Sequence, residues 1–373
     1  MKIVVDQARL SQKLQAVSAV VPTKTTLSIL SNVLFNAEGK ELRLTATDLD
    51  LSMTTMLPAT VEEAGKACVP SKRLLEIVRA LPPQAVTITV KSGSVRIQCG
   101  KSDFKIAGGE PEEFPKVTER MTDKGFQVEA PTLNKMIDRV LHAASRDLSR
   151  LSLTGVLWEF EKTKFAMVAT DGHRLARTER NEKVPAGELK EVIVPAKALE
   201  QLQRLTPDDG SIRVSVNASY IMFDLGSTFV HTRLLEGPFP NYRPIIPAAS
   251  KNKLLVDRDG LTQATRRVGI LANALTHQIK LKLAAEALTL SVSTPDLGEA
   301  TEEVGGESYS YNGPPDLQIG FNANYLLDIL KSTDTAQVEF AIDKPETAAV
   351  VRPVGEEENE KFFCLLMPLR LSD

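Results

Sequence analysis

Residues 165–171 read FAMVATD and residues 42–48 read LRLTATD. Both are strand-like apolar runs that close on Ala-Thr-Asp, with Thr47 and Thr170 standing 123 positions apart. A third run, LTLSVST, reaches Thr294 after a further 124. Other landmarks keep the step. VPSKRLLEIVRAL, from Val69, recurs as VPAKALEQLQRL, from Val194, and IGFNANYLLDILKS holds the equivalent place around Phe321. EEFPKV, with Phe114-Pro115, recurs as GPFPNYRPI, with Phe239-Pro240. Self-similarity at a fixed period marks a repeat architecture. The chain is read as three tandem copies, residues 1–120, 121–250 and 251–373, joined through the polar stretches MTDKG and PAASKNK.

Each copy follows one order: a helical segment, strands, a second helical segment after an apolar strand, then more strands. In the middle copy Leu133, Met136, Ile137, Val140, Leu141 and Ala144 recur with the period of an amphipathic helix over 132–150, with Pro131-Thr132 as its start. TITVKSGSVRIQC, 87–99, alternates about a Ser92-Gly93 turn. The fold class is therefore α+β, with antiparallel sheets and two helices per copy.

At 373 residues the chain exceeds what one hydrophobic core usually serves. It has no apolar run long enough to span a membrane, and MKIVVDQARL lacks the pattern of a secretory leader, so a soluble cytoplasmic protein is expected. Cys68, Cys99 and Cys364 are odd in number and lie in alternating apolar stretches, which favours buried thiols over disulfides.

The helical segments together carry a formal charge of +9, which leaves −12 for the rest of a chain whose net charge is −3. On the 132–150 segment Lys135, Arg139, Arg146 and Arg150 project within about 60° of one another at 100° per residue, away from the apolar stripe, and His142 shares that face. One basic helix is an ordinary solvated face. Its recurrence over a negative body suits a surface that tracks a phosphate backbone.

Residues 168–177, VATDGHRLAR, gather Thr170, Asp171, His173 and Arg174, residue types that also serve proton transfer. Asp-Gly directly after a β run is first a turn signal. The chain has no phosphate-cradling glycine loop, Cys-x-x-Cys, His-Glu-x-x-His or Gly-x-Ser-x-Gly, and His142, His173, His231 and His277 are scattered, so no catalytic residue, metal or cofactor is expected. The first copy has TDLDLS here and the third TPDLGEA, so Gly-His-Arg-Leu belongs to the middle copy alone. A site built on one repeat fits binding better than chemistry. A hydrolase using Asp171 and His173, or a repeat scaffold that binds proteins alone, are the alternatives.

ATDGHRLA at 169–176, FPNYRPIIP at 239–247 and the terminal LLMPLRL at 365–371, in a chain of three repeats, resemble the β-subunit family of the bacterial replicative DNA polymerase, the sliding clamps. The resemblance covers the whole chain. It implies a head-to-tail homodimer closed around duplex DNA, helices inside and sheets outside, without catalytic activity. It also implies that the polymerase catalytic subunit, the clamp loader, other polymerases and repair proteins dock by short linear peptides.

On matching motifs, the resemblance implies that Leu153, Thr170, Gly172, His173, Arg174, Leu175, Pro240, Ile245, Tyr325, Met367, Pro368, Leu369 and Arg370 line the partner-peptide pocket. The basic helix faces and a loop lysine assign phosphate contacts to Lys24, Arg73, Arg139, Arg146, Lys197 and Arg266. Phe104 and Ile106 from the first copy, and Ile270 and Leu271 from the third, match the two surfaces of the dimer interface. Two departures from the family pattern bear on peptide preference: Pro244 stands where many members carry Arg, and Leu369 where some carry Met. Ser372 and Asp373 extend past the usual end.

Overall fold

The computed structural model describes residues 1–118, 125–182, 184, 189–247, 251–355 and 359–371. The copy boundaries expected near 120 and 250, and Ser372-Asp373, lie outside the described residues. Among the described residues six α-helices fall two to a copy: α1 (Gln7–Ser18) and α2 (Ser71–Ala80), α3 (Ala130–Leu141) and α4 (Ala196–Leu205), α5 (Arg258–Gly269) and α6 (Ala323–Lys331). A short strand precedes the first helix of every copy, Lys2–Asp6, Phe126–Glu129 and Lys253–Asp257, an element the order read from sequence omits.

Local chemistry sets the helix starts. Asp6 Oδ1 accepts the Arg9 N–H at 2.9 Å, Asp257 Oδ1 accepts the Gly260 N–H at 2.6 Å, and Asn322 Oδ1 accepts from Asn324 and Tyr325. Each satisfies donors that the first turn leaves unpaired. Leu10, Leu14 and Val17 on α1, and Leu261, Ala264 and Val268 on α5, are buried at helical spacing. Each such large apolar side chain contributes about 1.5–3 kcal/mol by leaving water. The middle copy departs from expectation: α3 ends at Leu141 rather than 150, and residues 148–154 form a separate 3₁₀ segment capped by Asp147. Asp147 accepts from the Ser149 N–H and hydroxyl and from Arg150 Nε, bonds that compete with a continuing helix.

Among the described residues all strand pairings are antiparallel, and the strands form four sheets. One compact unit, mainly Met1–Leu133 with Lys197–Leu234, holds two of them. Its five-stranded sheet runs in the order Thr60–Glu63, Lys2–Asp6, Ala85–Lys91, Ser94–Cys99, Ser102–Ala107. Ser92 and Gly93, both at positive φ, make the expected hairpin turn in it. Its eight-stranded sheet takes Phe126–Glu129, Ser211–Val216, Tyr220–Asp224 and Thr228–Arg233 from the middle copy, then Leu51–Pro58, Glu41–Thr47, Asn32–Glu38 and Gly65–Pro70 from the first.

The other unit, mainly Asn134–Val184 with Leu235–Asp373, repeats the plan. A nine-stranded sheet joins Glu191–Pro195, Gly155–Phe160, Phe165–Thr170 and Arg174–Arg180 to Glu360–Leu366, Ala349–Pro353, Gln337–Ala341, Lys253–Asp257 and Ser310–Tyr311. A four-stranded sheet orders Gly298–Gly305, Ala287–Thr294, Gln278–Leu283 and Leu317–Asn322. The two compact units therefore do not follow the three copies. Strands of neighbouring copies hydrogen-bond in one sheet, so the middle copy is shared out between the units.

The two junctions obey one rule. Strand 228–233 of the middle copy pairs with strand 51–58 of the first, placing His231 opposite Ser52 and Phe229 opposite Thr54. Strand 360–366 of the third copy pairs with strand 174–180 of the middle, placing Leu365 opposite Leu175 and Phe363 opposite Arg177. Ser52 and Leu175 are the hairpin partners of the repeat threonines Thr47 and Thr170. The registers are thus equivalent.

Candidate partner-binding and DNA-facing sites

The 170–174 turn is locked by its own side chains. Thr170 Oγ1 donates to the Arg174 carbonyl at 2.6 Å and accepts the Gly172 N–H at 3.1 Å. Asp171 Oδ1 accepts the His173 and Arg174 N–H groups at 2.8 and 3.0 Å, and Oδ2 accepts from Arg174 Nε at 3.1 Å. Gly172 sits at φ +94°, a conformation that glycine tolerates without strain. Asp171 is therefore spent on holding a turn, and VATDGHR is a turn with an exposed His173 at its tip, not a proton-transfer pair.

Behind the turn Leu175 is buried in an apolar cluster with Leu157, Val168, Ile193, Tyr242, Val350 and Leu365, against which Phe239 and Ile246 pack. Of the residues expected to line a peptide pocket, Leu153, Thr170 and Leu175 are buried, and Arg174, Tyr325, Pro368 and Leu369 are half-buried. Gly172, His173, Pro240, Ile245, Met367 and Arg370 are exposed. Ile245 is 56% and Met367 44% exposed; in sequence the first adjoins Ile246, which packs on that cluster, and the second follows Leu366 at the end of the 360–366 strand. The C-terminal run is held in place by backbone bonds. Met367 N–H donates to His173 O at 3.0 Å and Leu369 N–H to Gly320 O at 2.8 Å, while Gln278 Nε2 donates to Arg370 O at 3.0 Å.

Sequence reasoning missed the residues that support the 239–245 segment. Tyr242, within the quoted FPNYRPIIP, donates its hydroxyl to Glu159 Oε2 at 2.7 Å and accepts from Arg177 Nε at 3.1 Å. Burial and the Glu159 bond push its phenol up to about 12. Arg243 Nη2 also reaches Glu159, at 2.6 Å, and stacks over the Tyr242 ring. These contacts fasten the segment that carries Pro240 and Ile245. The period-two strand pattern gives no hint of a buried carboxylate at Glu159.

The basic residues divide. Lys24, Arg73, Arg146, Lys197 and Arg266 are exposed; Arg73 pairs with Glu76, and Lys197 pairs with Asp48. Arg139 does not belong with them. It is 3% exposed, and its guanidinium donates to Glu360 at 3.1 Å and to Asp334 at 3.3 Å. Lys135 pairs with the same two carboxylates, and His142 is half-buried, with its imidazole lowered to about 4 by desolvation and then by the Arg174 charge. The face of α3 read as a basic surface is thus packed against the third copy's 360–366 strand and Asp334. Helical geometry put these residues together correctly; a buried acidic partner over two hundred positions away has no local signature. Arg146 and Arg150 lie beyond the end of α3, so they extend no helix face.

The expected interface residues stand at two sheet edges. Phe104 is 37% exposed and Ile106 half-buried on the 102–107 edge strand. Ile270, 76% exposed, caps α5, and Leu271 lies beside Gly298 at the head of the other edge strand. Cys68, Cys99 and Cys364 are free and buried, and burial raises the Cys68 thiol to about 12. Among the described residues no group of three or more His, Cys, Asp or Glu could hold a metal ion, and no helix is long and apolar enough to cross a membrane.

Comparison with known proteins agrees along the whole chain. Models of the DNA polymerase III beta subunit match in sequence: the N-terminal domain at residues 1–118, the central domain at 127–241 and the C-terminal domain at 243–370. The beta sliding clamp of Pseudomonas aeruginosa is 33% identical over 374 residues, covering all of both chains, and that of Caulobacter vibrioides is 33% identical over 380. Among solved structures, the DnaN sliding clamp of Bartonella birtlesii superposes with a TM-score of 0.93 at 32% identity, and the Bacillus subtilis clamp with 0.92 at 26%, each over the full length of both chains.

Proposed function

The chain belongs to the DNA polymerase III beta subunit family, and we infer that it works as a DNA sliding clamp. Two copies close head to tail around duplex DNA and tether the replicative polymerase, the clamp loader and repair proteins. It catalyses nothing itself and acts in the cytoplasm, and its three domains meet near residues 120 and 250.

One observation carries the ring. In both junctions within the chain, the last strand of one copy pairs with the strand that follows the repeat threonine in the copy before it. Among the described residues two strands of the same types have no such partner: 102–107 of the first copy and 298–305 of the third, each the edge of its sheet. Joining them across two copies makes a nine-stranded sheet like the one already present, and repeating the operation once closes the set. This is a heterologous contact whose rotation closes. Facing sets its register. Phe104 lies opposite the buried Ile97, as Val230 lies opposite the buried Phe223, and Ala300 lies opposite the buried Val292, so Phe104 and Ala300 share a face. Phe104 therefore falls opposite Ala300, Lys105 opposite Glu299 and Ile106 opposite Gly298 of the second copy, next to that copy's Leu271.

Lys24, Arg73, Arg146, Lys197 and Arg266 contact phosphates without reading bases, so affinity falls steeply with salt while base sequence matters little. Leu175, Pro240, Ile245, Met367 and Leu369 receive the apolar anchor of an extended partner peptide, with Met367 supplying adaptability. Loading onto nicked circular DNA followed by linearisation tests the whole reading. The protein should stay on the circle and leave the linear form; equal retention on both would contradict encirclement.

A further inference from the structure

Arg174 does not present its charge to an incoming ligand. Only 9% of its side chain is exposed, and Nε, Nη1 and one face of its guanidinium are engaged. Nε donates to Asp171 Oδ2 at 3.1 Å, Nη1 donates to Asp328 Oδ2 at 2.6 Å, and the plane lies 4.3 Å over the Tyr325 ring. Asp328 and Tyr325 are one turn apart on α6 of the third copy, a spacing that puts both on one face. Arg174 opens the 174–180 strand of the middle copy, between His173 at the turn tip and Leu175 in the apolar floor. The bond therefore ties the middle copy's unique turn to a helix of the third.

We propose that Asp328 is a positioning residue for the partner-peptide pocket: by clamping Arg174 against Tyr325 it fixes the 171–173 turn, and with it the His173 and Leu175 surfaces that a peptide meets. This rests on the pocket reading above. Backbone also holds the turn toward the third copy, through the Met367 N–H bond to His173 O and the strand pairing that begins at Arg174 and Leu366; Asp328 adds the side-chain anchor on α6. Arg150 Nη1, donating to the Asp171 carbonyl at 3.1 Å, braces it only from its own copy. Asp328 itself is 44% exposed, Arg174 retains Asp171 as a charge partner when it is lost, and α6 keeps its apolar face. Arg174 then keeps Asp171 and the Tyr325 ring but loses its hydrogen bond to α6.

The test uses the full-length dimer and a fluorescent peptide of the Gln-x-x-Leu-Phe type. Asp328→Ala and the near-isosteric Asp328→Asn should weaken peptide binding about 3- to 30-fold, the range for coupling carried by such networks. Asp328→Glu should recover most of the loss. Faster hydrogen exchange at the His173 and Arg174 amides should accompany weakened binding, with melting temperature and dimer mass unchanged. In an Arg174→Ala background, Asp328→Ala should add nothing. Unchanged affinity in Asp328→Asn would overturn the proposal, and so would a loss that tracks a fall in melting temperature and is not recovered by Glu. A wild-type chain that ignores the peptide would overturn the pocket reading, and this one with it.

Discussion

Arg139 Nη1 donates to Glu360 Oε2 at 3.1 Å, with both side chains only 4% exposed, and so joins α3 of the middle copy to the last strand of the third. A buried charge pair adds little over an apolar filling, but removing one partner leaves the other uncompensated. Arg139→Ala should destabilise this unit by about 3 kcal/mol, at the low end for such breaks because Lys135 and Arg180 still face Glu360. Trp158, the single tryptophan, is buried in the same unit, so its fluorescence during urea unfolding reads the effect. The salt dependence of DNA binding should stay as in the wild type. A variant of normal stability that binds DNA more weakly would return Arg139 to the phosphate surface.

The same cluster sets an acid limit. Burial pulls the Glu360 carboxyl upward, yet the Lys135 bond and the charges of Arg139 and Arg180 outweigh it, so it titrates below its ordinary 4.5. Asp334 is likewise held below 3.8, burial opposing and Lys135 and Arg139 prevailing. Carboxylates depressed in the folded state contribute stability that is present above their unfolded values and is lost as pH falls through the folded ones. The Trp158 unfolding midpoint should be flat from neutrality to about pH 5 and then fall. In Glu360→Gln that fall should be shallower. An identical acid limb in the two proteins would place the acid sensitivity elsewhere.

The three-copy plan was legible because a repeat needs no structural knowledge: Thr47, Thr170 and Thr294, and the Phe-Pro pair at 114 and 239, announce it. The motif reading also made Leu175, Ile245 and Met367 legible as candidate pocket residues, of which the structure buries the first and exposes the other two. Long-range charge pairing was not. Lys135 and Arg139 look like solvated cations at helical spacing, and only the fold brings Asp334 and Glu360 to them. The length of α3 failed for a local reason, because Asp147 caps a new 3₁₀ segment where the apolar period still appears to run on.

Tyr242→Phe isolates the support under the 239–245 segment of the proposed pocket. The ring keeps its place in the apolar cluster, but Glu159, 3% exposed, loses a 2.7 Å donor and Arg177 loses an acceptor. An unsatisfied buried group costs about 1–3 kcal/mol, so the Trp158 midpoint should fall by a matching amount. Because the same segment carries Pro240 and Ile245, peptide affinity should fall while dimer mass does not change. Full affinity with lowered stability would show that the 239–245 segment keeps its position without the hydroxyl.

Ring closure makes a register claim that chemistry can check residue by residue. Opposite residues on antiparallel strands hold their Cβ atoms about 4.5–5.5 Å apart, close enough for a disulfide after small adjustment. The three native thiols are buried and stay out of the reaction. Lys105→Cys combined with Glu299→Cys should therefore give a covalent dimer under mild oxidation, linked at both junctions and retained on a DNA circle through denaturing wash. Lys105→Cys with Thr301→Cys, two positions out of register, should cross-link far more slowly. Replacing Ile270 and Leu271 with Ala should abolish cross-linking in either pair, because each truncation removes a few kcal/mol of apolar burial at the contact and the copies separate. Cross-linking that favours the 105–301 pair would shift the register by two residues and break the equivalence with the two junctions inside the chain.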